Sequence, residues 1–328
     1  MDEKEVTFAE ALNEAFREEM YRNDSIFLMG ECIPFTGYES TYALTGLYEE
    51  FGSARVRDVP ICEKGFITMG VGAAMTGTRP VAFLSAGDWT LLACDSIVNQ
   101  AGRWKYMVGG EINIPLLIFI RIGTGSGIGM HHGSTTEATF FHQPGLKIVF
   151  PSTPYDGKGL LKTALRDRDP ILYYAHLKVF GIKGTVPSED YLIPFGKADI
   201  KKTGNDVSII TYGYMVHESL KAAEKLENKG IDAEVVDLRT LIPLDEETIL
   251  KSVKKNSRVI IVEEGNKRGG IGAELGMIIV ENAFDYLDAP VQRVAGVDVP
   301  LPMSPFLEKH ALPNESDIIE AVEGIFSL

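Results

Sequence analysis

Short, almost continuously apolar runs alternate with amphipathic helical segments through both halves of the chain. In the first half these runs lie at 81–85, 114–120 and 170–175, and such runs are typical of strands buried on both faces of a parallel sheet. Strands that alternate with helices predict right-handed crossovers and helices on both faces of the sheet. The alternation restarts at Val207 and continues to Val294. The pattern therefore predicts the α/β class, with two three-layer α/β/α domains and mainly parallel sheets.

The alternation is interrupted between Lys183 and Lys197, where periodicity is lost and two prolines occur. A chain of 328 residues has a length that suits two domains of ordinary size. We therefore predict a first domain at 1–186, a linker at 187–200 and a second domain at 201–328.

Composition excludes two classes of partner. The net charge of −14, without any cluster of Lys and Arg, predicts no nucleic-acid partner and no membrane partner. The longest apolar run, 112–120, is too short to span a bilayer. Three widely spaced cysteines indicate a reducing compartment without disulfides or a zinc site, and the acidic start lacks a signal core. These features predict a soluble, cytoplasmic protein.

The stretch 57–83 places a single acid, Glu63, directly before a segment rich in glycine and alanine. A helix with so little side-chain bulk on one face lets another backbone or a flat ligand approach closely. A carboxylate at the start of such a helix is costly to bury unless a partner accepts its proton or hydrogen bond. From the residues alone, Glu63 is either a functional carboxyl group or a surface or helix-capping glutamate next to Lys64.

Two further positions carry side chains suited to binding or proton transfer. His131 and His132 lie in the glycine-rich loop 123–133, and an imidazole exchanges protons near neutral pH. Trp89 follows Asp88 in a turn and offers a flat aromatic surface. The alternatives are a satisfied loop histidine and a core tryptophan.

A rival interpretation comes from the glycine-rich turn 270–276, which follows an apolar run at 259–263. A strand, a glycine-rich turn and a helix are typical of a dinucleotide site, and hence of a nicotinamide- or flavin-dependent oxidoreductase. Glu263 and Glu264 would repel a pyrophosphate, and no acid at the expected distance is placed to bind a ribose. A second rival is a catalytically inactive assembly subunit.

Several longer strings resemble one protein family over residues 5–325. The strings are PICEKGF, GLKIVFPSTPYDGKGLL, RDRDP, VDLRTLIPLDEETILKSVKK and RGGIGAELG. They resemble the beta subunit of the thiamine-diphosphate-dependent 2-oxo-acid dehydrogenases and acetoin dehydrogenases, which corresponds to the pyrimidine-binding and C-terminal domains of transketolase.

The resemblance implies that Glu63 donates a hydrogen bond to a ring nitrogen of the cofactor's aminopyrimidine and so promotes deprotonation of its thiazolium. This task needs a carboxyl group whose proton affinity is raised by apolar surroundings. We expect Ile61, Cys62 and Phe66 to supply those surroundings. The resemblance also implies that Glu31 and Trp89 bind the cofactor, with Trp89 packed against the aminopyrimidine.

The resemblance further implies that His132 contacts the substrate and the acyl-transfer intermediate. The family string has tyrosine or glutamine before this histidine and Ser-Gln after it, whereas His131 precedes it here and Gly133 follows. This departure makes His131 a second candidate for substrate contact and leaves open which imidazole transfers a proton. A second family acid after Glu31 is replaced by Cys32.

The resemblance implies two metal ions, a structural potassium ion and Mg²⁺. Leu116, Ala164, Asp167 and Asp169 align with a structural potassium site built largely from backbone carbonyls, although RDRDP is equally typical of a solvated turn. The Gly-Asp-Gly string that holds Mg²⁺ and the diphosphate in the family is missing from this chain. The resemblance therefore implies that an alpha subunit binds both groups and that this chain carries half of an active site.

The implied activity is that of a beta subunit in an alpha2beta2 heterotetramer with a beta–beta contact. Such an enzyme decarboxylates a pyruvate-type 2-oxo acid, or cleaves acetoin, and passes the acyl unit to a lipoyl group of an acyltransferase core. A transketolase-like aldehyde or ketol transfer is the alternative reaction.

Overall fold

The computed structural model describes residues 3–34, 43–123 and 127–327. These residues form two compact units: the first contains 3–123 and 131–195, and the second contains 127–130 and 196–327. The bounds predicted for the domains and their linker stay a prediction. Residues 124–126 of the glycine-rich loop lie outside the described residues.

The first unit contains a parallel sheet with helices packed against it. The strands of this unit are β1 (Glu3–Thr7), β2 (Ile26–Gly30), β3 (Val56–Asp58), β4 (Arg79–Leu84), β5 (Leu117–Ile122), β6 (Lys147–Val149), β7 (Ile171–His176) and β8 (Lys183–Pro187). Six of them lie in the parallel sheet in the order β6-β7-β5-β4-β2-β3, and each is parallel to its neighbours among these six. The helices are α1 (Phe8–Arg22), α2 (Leu47–Phe51), α3 (Glu63–Met75), α4 (Arg103–Met107), α5 (Glu137–Phe141) and α6 (Pro154–Arg166).

Helix α1 begins at Phe8 because Thr7 caps it. The Thr7 hydroxyl accepts the backbone N–H of Glu10 at 3.2 Å, and the Glu10 carboxylate accepts the backbone N–H of Thr7 at 2.7 Å. The reciprocal bonds satisfy two amide groups that have no partner within the helix. Behind this cap, Leu12 and Phe16 are fully buried on the face turned to the sheet.

Two parts of the first unit differ from the sequence-based expectation. Residues 183–187, predicted to be irregular, form β8 and pair antiparallel with β1. The two strands are far apart in the chain, so neither shows its partner in the local sequence. The sequence from Leu91 to Trp104 predicts a single helix, but the structure has a 3₁₀ turn (Gly87–Leu91), a π-helix (Ser96–Gly102) and α4 in this region. The wider π turn accompanies contact with α3, where the hydroxyls of Ser96 and Thr68 lie 2.6 Å apart.

The second unit repeats the α/β arrangement. Its sheet runs β14-β13-β10-β11-β9, with only the edge strand β9 antiparallel to its neighbour. The strands are β9 (Asp199–Lys202), β10 (Val207–Thr211), β11 (Ala233–Asp237), β12 (Thr240–Ile242), β13 (Val259–Asn266) and β14 (Gln292–Gly296). The helices are α7 (Met215–Glu227), α8 (Glu246–Asn256), α9 (Ile271–Ala283), α10 (Pro305–Ala311) and α11 (Glu315–Phe326). The two sheets confirm the predicted fold class.

The core of the second unit is aliphatic, and residues such as Ile209, Val235 and Ile260 are fully buried in it.

No helix in the described part of the chain has both the length and the hydropathy that crossing a bilayer requires.

Candidate active site

Four neighbouring strands of the first sheet, β5, β4, β2 and β3, end at the same edge because they are parallel. The predicted site residues follow these strand ends. His132 comes after β5, Trp89 after β4 and Glu31 after β2, while Asp58 ends β3 and Glu63 follows it. In open parallel sheets ligands bind at the carboxyl ends of the strands. Residues that are distant in the chain therefore share one edge of the sheet.

Glu63 is the first residue of α3 and is buried, with 7% of its surface exposed. The amino end of a helix favours a carboxylate because the helix dipole is positive there. In the glycine-rich segment behind it, Gly70 is closely packed. A Cβ added to Gly70 would lie 2.6 Å from the Met29 side chain and 3.0 Å from that of Leu116, whereas Gly72 has no such neighbour within 4 Å. The close approach of a backbone or a flat ligand to this segment stays a prediction.

Glu31 lies directly after β2 and is also buried. Its Oε1 atom is buried without a hydrogen-bond partner among the described residues. Burial, and then the charges of Glu63 and Asp58, raise the pKa of Glu31 to about 7. A carboxyl group that is buried near other carboxylates ionises less readily. Glu31 therefore holds its proton up to near neutral pH.

The turn that carries Glu31 depends on Asp58, a residue that the sequence reasoning missed. Cys32 adopts a positive φ of 56°, and its backbone N–H donates to Asp58 Oδ1 at 2.8 Å. Because Gly30 and Asp58 are in register on β2 and β3, the acid lies beside the turn. An acid at the end of a short strand next to a candidate site is the signal that could have identified it.

The apolar surroundings expected around Glu63 are only partly present in this chain. Phe66 is buried, but Ile61 is 80% exposed and Cys62 is exposed. The expectation for Ile61 and Cys62 is therefore wrong for the chain by itself. The reason is that both residues precede α3 and lie outside the face that packs on the sheet. At this edge it is the pKa of Glu31 that is raised, although the sequence predicts only cofactor binding for this residue.

The aromatic and imidazole candidates contact each other. The Trp89 and His132 rings meet edge to face, with centroids 5.5 Å apart and planes at 72°. Trp89 is half-buried, so it is not the core tryptophan of the alternative interpretation, and both His131 and His132 are exposed. Of the two histidines, His132 is the one for which this ring contact with Trp89 is found.

Comparison with known families accounts for both halves of the chain. Residues 4–176 match the pyrimidine-binding domain of transketolase, and residues 196–318 match the transketolase C-terminal domain. The 2-oxoisovalerate dehydrogenase subunit beta of Bacillus subtilis (strain 168) is 43% identical over 98% of both chains. The pyruvate dehydrogenase E1 component subunit beta of Rickettsia felis is 44% identical, again over 98% of both chains.

This chain belongs to the E1 beta family of the 2-oxo-acid dehydrogenases. The recognition from the sequence strings is thereby confirmed. The rice and Arabidopsis relatives named as mitochondrial pyruvate dehydrogenase E1 beta subunits are each 42% identical. A solved structure described as a split-gene transketolase, an inactive beta4 tetramer, superposes with a TM-score of 0.79 over 98% of this chain and 99% of that one. At 22% identity it supports the fold alone.

The E1 beta family implies thiamine diphosphate, and the sheet edge fits one end of this cofactor. The unpartnered Oε1 of Glu31 and the buried Glu63 offer carboxyl oxygens to a nitrogen heterocycle. Trp89 offers an aromatic surface. Among the described residues no group of three or more His, Cys, Asp or Glu side chains is placed to hold a metal ion.

The residues aligned with a potassium site lie close together but have partners already. The Asp167 carboxylate accepts two hydrogen bonds from Lys147, at 2.7 and 2.8 Å. Asp169 is paired with Lys105 at 2.5 Å and with Lys147 at 3.1 Å. Burial opposes the charge of Lys147, yet these hydrogen bonds outweigh it and raise the pKa of Lys147.

The carbonyl oxygens at the same place are also engaged. The carbonyls of Leu116 and Ala164 each accept a backbone N–H, at 3.0 and 3.2 Å. The Arg79 guanidinium donates to the Asp167 carbonyl at 2.6 Å. Because the protein's own cations neutralise this corner, the contacts fit a potassium ion poorly. Potassium binding stays a prediction, and no step of the reaction is derived from it.

The dinucleotide interpretation of 270–276 fails on a steric ground. The amino end of α9 is filled by the buried side chain of Glu263, which accepts the Gly272 N–H at 3.0 Å and is paired with Arg293 at 2.7 Å. A Cβ on Gly270 would lie 2.5 Å from the same carboxylate. The glycines thus leave room for an internal carboxylate, which occupies the position where a pyrophosphate would bind.

Proposed function

We propose that this chain is the beta subunit of the E1 component of a thiamine-diphosphate-dependent 2-oxo-acid dehydrogenase, active only with an alpha subunit. The observation that carries the proposal is the buried pair of carboxyl groups, Glu31 and Glu63, at the carboxyl edge of the first sheet. Burial and the neighbouring carboxylates raise the pKa of Glu31 to about 7, and its Oε1 is buried without a hydrogen-bond partner among the described residues, as in a site that a ligand completes.

Thiamine diphosphate, when bound, supplies a carbon nucleophile for the substrate carbonyl and a place for the electrons released by decarboxylation. Glu63, held at the start of α3, would donate a hydrogen bond to the aminopyrimidine through a carboxyl oxygen. Glu31 shares the same buried edge and keeps the local proton affinity high, because two neighbouring carboxylates repel each other.

Trp89 and His132 form the other side of the site. Trp89 packs against the flat aminopyrimidine, and His132 takes or gives a proton at the reacting carbonyl through an imidazole nitrogen. The contact between the two rings restricts the positions that His132 can reach. His131 is the neighbouring candidate for substrate contact.

The remaining half of the site belongs to other subunits in this proposal. An alpha subunit binds the diphosphate and Mg²⁺ in an alpha2beta2 heterotetramer with a beta–beta contact, and the acyl unit passes to a lipoyl-bearing acyltransferase core. The exposed Ile61 next to the buried Glu63 supports a site completed by a second chain. The cytoplasmic location predicted from the cysteine pattern is part of the same proposal.

The substrate class is a 2-oxo acid with a small or branched side chain. Relatives named for pyruvate and for 2-oxoisovalerate are 44% and 43% identical to this chain, so overall identity does not separate the two. Acetoin, whose reactive carbonyl is also flanked by a breakable carbon–carbon bond, is the third substrate to test.

The test is co-expression with the candidate alpha chain, followed by purification of the complex. Reduction of an artificial electron acceptor is measured with pyruvate, branched 2-oxo acids and acetoin, with and without thiamine diphosphate and Mg²⁺. We expect cofactor-dependent turnover of one of these substrates, and loss of it in Glu63→Gln.

Two results would overturn the proposal. Turnover of none of the substrates, together with ketol transfer to an added aldehyde, would identify a transketolase-like subunit. Full activity in Glu63→Ala would identify a chain that only assembles the complex.

A further inference from the structure

The turn after β4 lies directly against the segment that follows the two histidines. Asp88 Oδ2 accepts the backbone N–H of Ser134 at 3.0 Å. This bond joins the end of one strand connection to the next connection along the same sheet edge. Asp88 is half-buried, so water competes for the bond less than at an open surface.

Gly87, the preceding residue, brings the two backbones together. A Cβ at this position would lie 2.7 Å from the Ser134 carbonyl oxygen and 2.8 Å from the Ile122 side chain. No side chain fits there without a shift of backbone. The close approach places Asp88 within reach of the Ser134 amide.

Below this contact the two segments are joined by buried hydroxyls. Thr90 Oγ1 donates to the Gly87 carbonyl at 2.6 Å, and its oxygen lies 3.2 Å from Thr136 Oγ1. Thr136 and Tyr174 hydroxyls lie 3.3 Å apart. This layer is buried and fixes the base of the segment from residue 136 onward. Of these hydrogen bonds, the one between Ser134 and Asp88 is the nearest to His132 along the chain.

His132 is thus restrained from two sides. Its ring meets the edge of Trp89, and its backbone is tied two residues later through Ser134 to Asp88, the residue before Trp89. Because His132 is exposed, burial does little to hold its side chain. The restraint comes from these two adjacent residues.

We propose that Asp88 is a positioning residue that sets the place of His132 through the Ser134 amide. The catalytic use of His132 rests on the proposed function, but the restraint itself does not. The essential property of Asp88 is an oxygen acceptor at the right distance. Asparagine supplies such an oxygen without the charge, whereas alanine supplies none and the hydroxyl of serine is too close to the backbone to reach the amide.

The first measurement needs no turnover. Trp104→Phe leaves Trp89 as the single tryptophan, since the chain has two. A protonated imidazole in contact with an indole quenches its fluorescence, so the pH titration of Trp89 emission reports the contact with His132. We expect a quench at low pH that disappears in His132→Gln. Asp88→Ala and Asp88→Ser should lose most of its amplitude, and Asp88→Asn should keep it.

The second measurement is steady-state turnover of the complex with the alpha chain. We expect kcat to fall about 10- to 100-fold in Asp88→Ala with KM little changed, because a small misplacement of a catalytic group costs this much. Asp88→Asn should restore kcat. Asp24→Ala is the matched control, because it removes the same charge from the same unit at a fully exposed side chain.

The outcomes separate the two claims. A fluorescence titration that is unchanged in Asp88→Ala and Asp88→Ser, or one that never depended on His132, would overturn the positioning role. Failure of Asp88→Asn to keep the quench would also overturn it, because a charge effect would then be the cause. An inactive wild-type complex would refute the proposed function, and the fluorescence result would still decide the role of Asp88.

Discussion

Two regions of the first unit bury carboxylates, but one region pairs the buried carboxylate with a cation and the other does not. Between α1 and α6, Glu19 is 2% exposed and is held by Arg166 through two parallel hydrogen bonds, at 2.9 and 2.6 Å. At the carboxyl edge of the sheet, Glu31 and Glu63 are buried beside each other, and Glu31 Oε1 has no hydrogen-bond partner among the described residues.

Further ion pairs join α1 and α6 along their contact. The nearly buried Lys158 bonds to Glu14 at 3.0 Å and to Glu18 at 2.7 Å, and Lys162 bonds to Glu18 at 2.5 Å. Burial opposes the charge of Glu18, yet the hydrogen bonds from both lysines outweigh it and lower the pKa of Glu18. At the sheet edge burial and like charge act together and raise the pKa of Glu31 to about 7.

The difference separates structural from functional burial of charge. The charge of a buried carboxylate that is paired with a cation of the same chain is already neutralised, and removal of the cation mainly reduces stability. Buried carboxyl groups without a cation cost stability and persist where a ligand or second chain completes them. The four predictions below test this distinction.

The largest effect is expected at Glu63. Glu63→Gln keeps the shape of the side chain but cannot give up a proton, so activity of the reconstituted complex should fall about 10²- to 10⁴-fold. The free energy of unfolding should not fall. Turnover and urea denaturation check the two statements, with the exposed Glu49→Gln in α2 as control. Activity within a few-fold of wild type would contradict the assignment.

At the contact between α1 and α6 we expect the opposite result, a loss of stability without a loss of activity. Arg166→Met leaves the buried Glu19 without its bidentate partner and should reduce the free energy of unfolding by about 3 to 5 kcal/mol. Activity of the folded fraction should stay unchanged. Arg22→Met is the control, because Arg22 is paired with Asp190 only at 3.8 Å and on the surface, a contact worth about 1 kcal/mol or less. Equal losses in both variants would show that burial of the pair is unimportant.

A smaller, pH-dependent effect is expected at Glu31. Because its pKa is raised in the folded chain from 4.5 to about 7, the folded state binds this proton more tightly than the unfolded state. The stabilisation is therefore complete below the ordinary pKa and is lost as the pH rises through about 7. The free energy of unfolding of wild type, relative to Glu31→Gln, should fall by about 1 to 3 kcal/mol between about pH 5 and pH 8. Urea denaturation at several pH values measures it, and a flat difference would show that Glu31 does not hold the proton.

The smallest effect is expected at a third group of acids, Asp167 and Asp169, which are half-buried. Lys147 and Lys105 already neutralise Asp167 and Asp169. A bound cation would stabilise the folded state by mass action, so replacing potassium by sodium or choline should move Tm by less than about 1 °C. A clear rise of Tm with potassium concentration, absent with sodium, would restore the potassium site predicted from the sequence.

Local features were predictable because they depend on near neighbours. The capping box at Thr7 and Glu10, the buried strand at 207–211 and the start of a helix near Glu63 are all visible in short stretches of chain. The pairing of strand 183–187 with strand 3–7 was not predictable, because nearly the whole first unit lies between the two segments in the chain. Without a visible partner, 183–187 has the sequence of a domain boundary.

The amino-acid sequence by itself determined the alternation of strands and helices, the family, and the set of residue types that a proton-transfer site requires. Only the tertiary structure decided which of them act on each other. A pKa depends on burial and on charges that come from other strands, so the raised pKa is that of Glu31, which follows β2 and lies near Asp58 and Glu63. In the same way, the bond from Asp88 to Ser134 exists because parallel strands bring separate connections to one edge of the sheet.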